Sequence, residues 1–426
     1  MPARVRDAGL ILRSGVFHAI VCLSAAARGN PRRCIRWSPH FRRCAPARAA
    51  GSAVDQGQGA RRRGRSFRSW RAGSLPDPTL AVGLDSFPIS GPLAFAPGQD
   101  NFTMARVGVS QDIPNLAKRR AQRARADSDI KAADADTAFE ARSVEVGTAL
   151  AWINLAYAER RLTALDDLLA RLERVVRTTP SAVASGNARP AQTLAGRQAI
   201  ASLEDRRSEL VSNIARARAA LTRWTGDPAP EIAGSIPDFP VDGAELRAGL
   251  DRLPTMAMID AQSGQAMADV RMADANRRSD FGVNLAYQRR DPRFGDYVSA
   301  GVTVSLPFFT RSRQNAGIAA AQENAGRILA ERDAALRALA ADLETDLADH
   351  IMHHEQWLRA RDTLLPLAEQ RVTLETASYG AGRANLVDIA DAYAALADVT
   401  LNTLDREALV AADGVRLNLT YRSESQ

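Results

Sequence analysis

The sequence predicts an α+β membrane protein built from two copies of a β-hairpin followed by long helices, and three observations lead there. Pairs of short alternating segments occur twice, near residues 80–113 and 281–306, and each pair is followed by a long alanine- and arginine-rich stretch with helical periodicity. The turn residues of the two halves fall into register with each other. No uncharged apolar run approaches the roughly 20 residues that a membrane-spanning helix needs, so any crossing falls to β-strands.

Composition sets the frame for these elements. Aromatics make up 5% of the 426 residues, and the hydrophobic share of 46% leans on alanine. That is too little bulky apolar material for two compact cores, and it favours elongated helical packing. The net charge of +7 suggests a nucleic-acid partner until it is divided along the chain. Sixteen arginines against Asp7 and Asp55 give residues 1–72 a charge of +14, which leaves the rest at −7. The body is acidic, and no nucleic-acid partner is expected.

Cys22, Cys34 and Cys44 all lie in that basic segment, so the body has neither a disulfide framework nor a CxxC metal site. Arg4 and Arg6 precede a patchy apolar stretch, residues 15–27, that has the outline of an export signal but is flanked and interrupted by Arg13 and His18. Cys22 is a candidate for lipidation, against the plainer reading of an incidental cysteine. Residues 28–72 show no helix or strand period and read as disordered. The whole of residues 1–73 is therefore expected to be a basic, disordered N-terminal segment: a degraded signal, or a product of a shifted reading frame.

The first repeat is expected over residues 74–226. Leu80, Val82 and Leu84 alternate, a Pro/Gly-rich loop follows, and a second strand runs from Met104 to Ile113. No proline intervenes between Pro114 and Pro180, and apolar positions such as Val146, Leu150, Ile153 and Tyr157 recur at spacings of three and four. A helix of about 60 residues would be about 90 Å long. Ser185, Gly186, Asn187 and Pro190 make a turn, and a second helix runs back from Gln192 to Trp224. Residues 227–253, punctuated by Pro and Gly, are expected to form an irregular equatorial connector.

The second repeat, residues 254–426, opens with a helix over residues 254–278. Phe281, Val283, Leu285 and Tyr287 then alternate, followed by Val298, Ala300, Val302, Val304 and Leu306 against Ser299, Gly301, Thr303 and Ser305. A long helix from Arg313 to Ser378, a turn at Gly380 and Gly382, and a last helix from Leu386 to about Leu419 complete it. Gly108 falls on Gly301 and Pro114 on Pro307 at an offset of 193, and Gly186 falls on Gly382 at 196.

The segment Val298–Leu306 has Val, Ala and Leu on one face and Ser, Gly and Thr on the other. That pattern suits a tilted strand between lipid and water, although a sandwich strand in a soluble domain would share it. Four strands cannot close a barrel, and an open edge in lipid leaves backbone groups unpaired. Three copies would supply twelve strands, and the long helices would pack side by side as an α-helical barrel continuing the pore.

Residues 108–114 (Gly-Val-Ser-Gln-Asp-Ile-Pro), 301–309 (Gly-Val-Thr-Val-Ser-Leu-Pro-Phe-Phe) and 379–392 (Tyr-Gly-Ala-Gly-Arg-Ala-Asn-Leu-Val-Asp-Ile-Ala-Asp-Ala), in that order and spacing, resemble the TolC-type outer-membrane efflux proteins. The long hairpin loops and Ala/Arg-rich helices are most similar to the heavy-metal, CzcC/CusC-like branch. The resemblance covers about residues 74–420. It implies a homotrimer in the bacterial outer membrane that extends into the periplasm, with a twelve-stranded barrel, a periplasmic α-barrel and an equatorial belt. It implies as partners a periplasmic adaptor, an inner-membrane pump of the resistance-nodulation-division type, and outer-membrane lipid. Gly186 and Gly382 would mark periplasmic helix tips, with Arg383, Asn385 and Leu386 near the adaptor contact. Asp388 and Asp391 match the aspartates that ring the family's periplasmic entrance. Carboxylates at i and i+3 share a helix face, and a threefold axis would bring six together in a cation-favouring ring. The plainer reading is two solvated surface acids.

His350, His353 and His354 fall near one helix face, with Asp346 and Glu355 as further donors, and form a weak metal-ligand candidate beside the commoner reading of an exposed polar patch. No nucleophile-base-acid set, phosphate loop or Rossmann glycine pattern is found, so neither an enzyme nor a cofactor is expected. The first repeat lacks a counterpart of the helix over residues 254–278, which would leave a gap in the α-barrel wall and is consistent with a truncated, non-functional channel. A periplasmic adaptor or a soluble coiled-coil scaffold would also carry long helices; the first would need more strands, and the second would not need the Ser/Thr-versus-Val alternation.

Overall fold

The computed structural model describes residues 19–23, 33–37, 64, 71–177, 190–232, 236–308 and 310–422. Within the basic segment two strands, β1 (Ala19–Leu23) and β2 (Arg33–Trp37), pair antiparallel with Cys22 opposite Cys34. Residues 28–72 were expected to hold no strand. Arg33–Trp37 departs from that because backbone pairing needs no alternating side-chain pattern. The body divides into two compact units: one gathers Glu140–Leu250 and Ala340–Gln426 together with Met1–Val54, the other Asp55–Phe139 and Asp251–Leu339.

The second of these units holds a four-stranded antiparallel sheet. Its strands, β3 (Thr79–Asp85), β4 (Met104–Ile113), β5 (Phe281–Arg289) and β6 (Tyr297–Val304), lie in chain order. The two hairpins expected from the alternation are present, joined through the β4–β5 ladder. Register carries the alternation across the sheet: Val82 lies opposite Val107, Val107 opposite Tyr287, and Tyr287 opposite Val298. The next rung, Ala81, Gly108, Ala286 and Ser299, is small throughout and belongs to the other face.

Just beyond the strands a polar clasp fixes where the sheet meets the helices. Asn115, only 9% exposed, precedes α1 (Leu116–Arg177). Its backbone N–H donates to Asp280 Oδ1 at 2.8 Å, and its Nδ2 donates to the same oxygen at 2.9 Å and to the Ala275 carbonyl at 3.0 Å. Lys118 Nζ reaches Asp280 Oδ2 at 2.9 Å, and the Asp280 N–H donates to Ser305 Oγ at 2.7 Å. Asp280 thereby ties the start of the first repeat's long helix to the strands of the second. Burial works to raise the Asp280 pKa, but the Asn115 N–H groups and the Lys118 ammonium outweigh it and hold the carboxyl below its ordinary value.

The helical unit holds the later part of α1 with α2 (Pro190–Thr225), α3 (Gly243–Gly249), the end of α5 (Gln314–Arg359), α6 (Leu365–Gly380) and α7 (Leu386–Tyr421). One core joins Leu165, Leu172, Leu203, Val372, Ile389 and Leu396; a second joins Trp152, Leu155, Tyr157, Leu221, Val415 and Leu419. Arginines tie the helix surfaces together: Arg207 pairs with Asp166 at 2.7 Å, Arg218 with Glu159 at 3.1 Å, Arg161 with Asp405 at 2.6 Å, and Arg206 with Asp398.

Two elements differ from expectation. The connector is not wholly irregular: Asp242 Oδ1 accepts from the backbone N–H groups of Ala244 and Glu245 and starts the short helix α3, which a 3₁₀ turn, Leu250–Arg252, continues. The long helix of the second repeat is not continuous either. A π-helical turn, Ala360–Leu364, separates α5 from α6. Pro366 explains it, since proline lacks an N–H and its ring crowds the carbonyl four residues earlier. In the sheet unit the helix expected over residues 254–278 is present as α4 (Pro254–Ala275), which meets α1 through Gln265 Nε2 on Asp129 Oδ1 at 2.6 Å and through Arg125 on Asp269.

Replacing Asn115 by Ala strips the clasp of its buried amide and is expected to cost about 2 kcal/mol, read as a fall of several degrees in the thermal midpoint by calorimetry. Because Asp280 is depressed in the folded chain, its contribution is complete above the unfolded-state pKa of about 3.9 and disappears as pH falls from there through the lower folded value. An acid-unfolding midpoint that does not move in Asp280→Asn would contradict this.

Candidate functional site

Three regions carry the residues that the sequence singles out, and the first is the sheet. Val298, Ala300, Val302 and Val304 stand on one face of β6 and are all exposed, Val298 at 70% and Val302 at 71%. Leu80, Val82, Leu84, Val107, Val109 and Leu285 share that face through the ladder register, and they are exposed as well. The opposite face carries Thr79, Ser110, Asn284 and Thr303 among glycines and alanines. Among the described residues, β3 and β6 each pair on one side only. The sheet therefore presents a broad apolar surface and two open backbone edges, with none of the described residues laid over them.

The second region is the turn between α6 and α7. Gly382 adopts φ +72°, the left-handed conformation that a side chain would resist. Its N–H donates to the Tyr379 carbonyl at 3.0 Å while the Arg383 N–H reaches back to Ser378 at 2.8 Å, the pair of bonds that closes a Schellman turn. The next helix starts at once. Asn385 Oδ1 accepts from the N–H groups of Val387 and Asp388, and Asp388 Oδ2 accepts from the Asn385 N–H at 2.9 Å, a reciprocal capping box.

This geometry sorts the tip residues. Gly382 and Arg383 are exposed, and Asn385 spends its side chain on the cap. Leu386, expected near a partner contact, is fully buried, and a Cβ at Gly196 of α2 would stand 2.9 Å from its Cδ2. Leu386 therefore supports the tip from inside and presents no side chain to a partner. Asp388 is half-buried, with one of its carboxylate oxygens committed to the cap; Asp391, one turn along, is exposed with no such commitment. Gly186 lies outside the described residues.

The third region surrounds the histidines, which the structure divides. His353 Nδ1 lies 2.7 Å from Asp413 Oδ2, and Asp413, 3% exposed, also accepts from Arg416 at 2.9 Å. The His350 and His354 rings are 6.3 Å apart, and His354 packs on Trp357 at 5.6 Å. Burial pushes the His350 imidazole down, helped by its two histidine neighbours and opposed by Asp413, so it is neutral at pH 7. Among the described residues no three His, Cys, Asp or Glu side chains converge to hold a metal ion. Asp413, a residue of α7, holds the His353 imidazole apart from the other two.

Sequence reasoning missed the groups beside these histidines. Tyr157 of α1 donates its hydroxyl to Glu407 Oε1 of α7 at 3.1 Å, and Arg160 reaches the same oxygen at 2.9 Å. Burial and then the Glu407 charge raise the Tyr157 pKa, so the phenol keeps its proton. In the sequence Tyr157 stands out only as an apolar position of a helix, and its partner lies 250 residues away. A local pattern contains no signal for such a pair.

Comparison with known proteins agrees with this architecture. Residues 247–419 match the family model described as outer membrane efflux protein. The cobalt-zinc-cadmium resistance protein CzcC of Cupriavidus metallidurans is 27% identical over 221 residues, covering 50% of this chain and 52% of the relative. The chain thus matches about half the length of that curated relative. Among solved structures, the outer-membrane channel OprN superimposes with a TM-score of 0.72 at 16% identity, covering 88% of each chain. CusC, described in terms of folding and transmembrane channel formation, gives 0.71 at 12% identity over 86% of this chain and 88% of its own. At such identities the likeness establishes a shared fold.

The capping box makes a separable prediction. Asn385→Ala removes the acceptor for two N–H groups and should destabilise the start of α7 by about 1 kcal/mol, read as faster amide exchange at Val387 and Asp388. Asn385→Asp, which restores an acceptor, should return exchange to the original rate.

Proposed function

We propose that this chain, whose residues 247–419 match the outer membrane efflux protein family, is one protomer of a trimeric exit duct in the bacterial outer membrane. The single observation that carries the reading is the sheet: one face broadly apolar and exposed, the other largely polar or small, and both edges open among the described residues. In lipid an open edge leaves N–H and C=O groups without partners at a cost of several kcal/mol each, so four strands persist there only if other copies complete the ladder. Three copies, β6 of one beside β3 of the next, give a closed twelve-stranded barrel with Val298, Ala300, Val302 and Val304 toward acyl chains and Ser299, Gly301 and Thr303 toward water. The helices continue the wall into the periplasm as an α-barrel.

The duct performs no chemistry. It would receive cargo from an inner-membrane pump of the resistance-nodulation-division type through a periplasmic adaptor, and heavy-metal cations are the cargo suggested by the resistance protein that it resembles. Gly382 and Arg383, exposed at the tip, form the adaptor contact in this reading, and Gly186 is the corresponding position in the first repeat. Asp391 is the entrance carboxylate. A hydrogen bond to one oxygen leaves the Asp388 carboxylate its charge, so three copies of Asp388 and Asp391 together attract cations and repel anions at the mouth.

The sheet reading is tested by a pair of substitutions. Val302→Arg puts a charge on the lipid face at a cost of about 2–4 kcal/mol near the midplane, and it should abolish recovery of a trimer from the outer-membrane fraction. Thr303→Arg, on the water face, should leave the trimer intact. Equal behaviour of the two variants, or extraction of the unaltered protein as a soluble monomer, would remove the basis of the proposal. In planar bilayers Asp391→Asn should lower the preference for cations over anions; unchanged selectivity would place the entrance elsewhere.

A further inference from the structure

A cavity of about 1130 Å³ opens within the helical unit, between α1, the ends of α5 and α7, and the connector around residues 236–241. The connector is strapped down at this point: Asn418 Nδ2 of α7 donates to the Pro240 carbonyl at 3.2 Å, and the Phe239 carbonyl lies 3.0 Å from where a Cβ on Gly414 would stand. Tyr157, Phe239 and Trp357 contribute aromatic surface, and Ile232, Leu404 and Val410 contribute aliphatic surface. Four carboxylates, Glu159, Asp167, Asp238 and Glu407, line it against a single guanidinium, Arg160.

We infer that this cavity is a binding site for an organic cation, a ligand with one quaternary or delocalised positive charge on an aromatic or alkyl body. Charge balance points that way. Glu407 is held by Arg160 and Tyr157, and Glu159 by Arg218, but Asp167 and Asp238 form no ion pair among the described residues. His350 is neutral at pH 7 and adds no compensating charge. Guanidinium groups of the chain already stand on one face of the Tyr157 and Trp357 rings, so a ligand would meet the remaining aromatic surface, that of Phe239 included. Arg160 Cζ stands 5.0 Å from the centre of the Tyr157 ring, and Arg361 Cζ 4.6 Å from that of Trp357, distances at which a guanidinium is drawn to the face of the ring. A divalent metal ion would need three converging donors, which the described residues do not supply. An anion would meet the carboxylate excess.

The site lies inside one compact unit, so it stands apart from the reading of the chain as a duct. The test uses the full-length protein in detergent with benzyltrimethylammonium as probe and tryptophan fluorescence as signal. Saturable quenching is expected, lost in Trp357→Phe and weakened at least five-fold in the double variant Asp167→Asn/Asp238→Asn. Both aspartates are exposed, so their replacement leaves the packing intact, and circular dichroism on the same samples checks this. Benzenesulfonate, an aromatic of opposite charge, should show no saturation. Non-saturable quenching by the cation, unchanged affinity in the double variant, or equal binding of benzenesulfonate would each overturn the inference. Oligomeric state measured on the same preparation reports separately on the duct.

Discussion

Everything in this architecture follows from a sheet that cannot be satisfied by its own chain. Two hairpins pair through β4 and β5 and, among the described residues, leave β3 and β6 with free backbone on their outer sides. Their apolar side chains, from Leu80 through Val107 to Val302, lie on the surface instead of in a core. In water such a surface would be an aggregation hazard, and in lipid the open edges would be prohibitive. In the proposed trimer, closure with other copies would remove both difficulties, because the same ladder that pairs the edges would turn the apolar faces outward as one continuous band.

Closure of the proposed kind would require the helices to leave the sheet at fixed points. The Asn115–Asp280–Lys118 clasp supplies one of these, joining the β4–α1 corner of the first repeat to the α4–β5 corner of the second through hydrogen bonds that neither repeat can make alone. Away from the corner the helices hold together differently. Alanine lets them approach, leucines fill the seams, and arginines bridge to carboxylates on neighbouring helices. Exposed pairs of this kind contribute little individually, and the two hydrophobic cores of the helical unit carry most of its stability.

The strands and long helices were legible in the sequence because their signals are periodic and local. The alternation of Val298, Ala300, Val302 and Val304 found β6 and its exposed face, and the run from Pro114 to Pro180 found α1. The tip was legible as a turn but not as a division of labour: Asn385 and Asp388 have the spacing of a capping box, but nothing in the string shows that Leu386 would point inward. The histidines mislead for the complementary reason. Spacing on one helix places them together, and a carboxylate from another helix, Asp413, then divides them. The clasp and the Tyr157–Glu407 pair are long-range contacts between ordinary residues, and no window of sequence contains both partners.

The π turn at Ala360–Leu364 bears on symmetry. A helix advances about 100° per residue, so one extra residue in a single turn rotates everything after it by about that angle relative to an uninterrupted helix. The α1 helix of the first repeat runs through without such a slip, whereas α5 and α6 of the second do not share one phase. The corresponding segments of the two repeats read from the sequence thus turn different stripes toward their neighbours beyond this point. Around a threefold axis, six similar helical hairpins would become two alternating sets of three, and only one set would carry the slip.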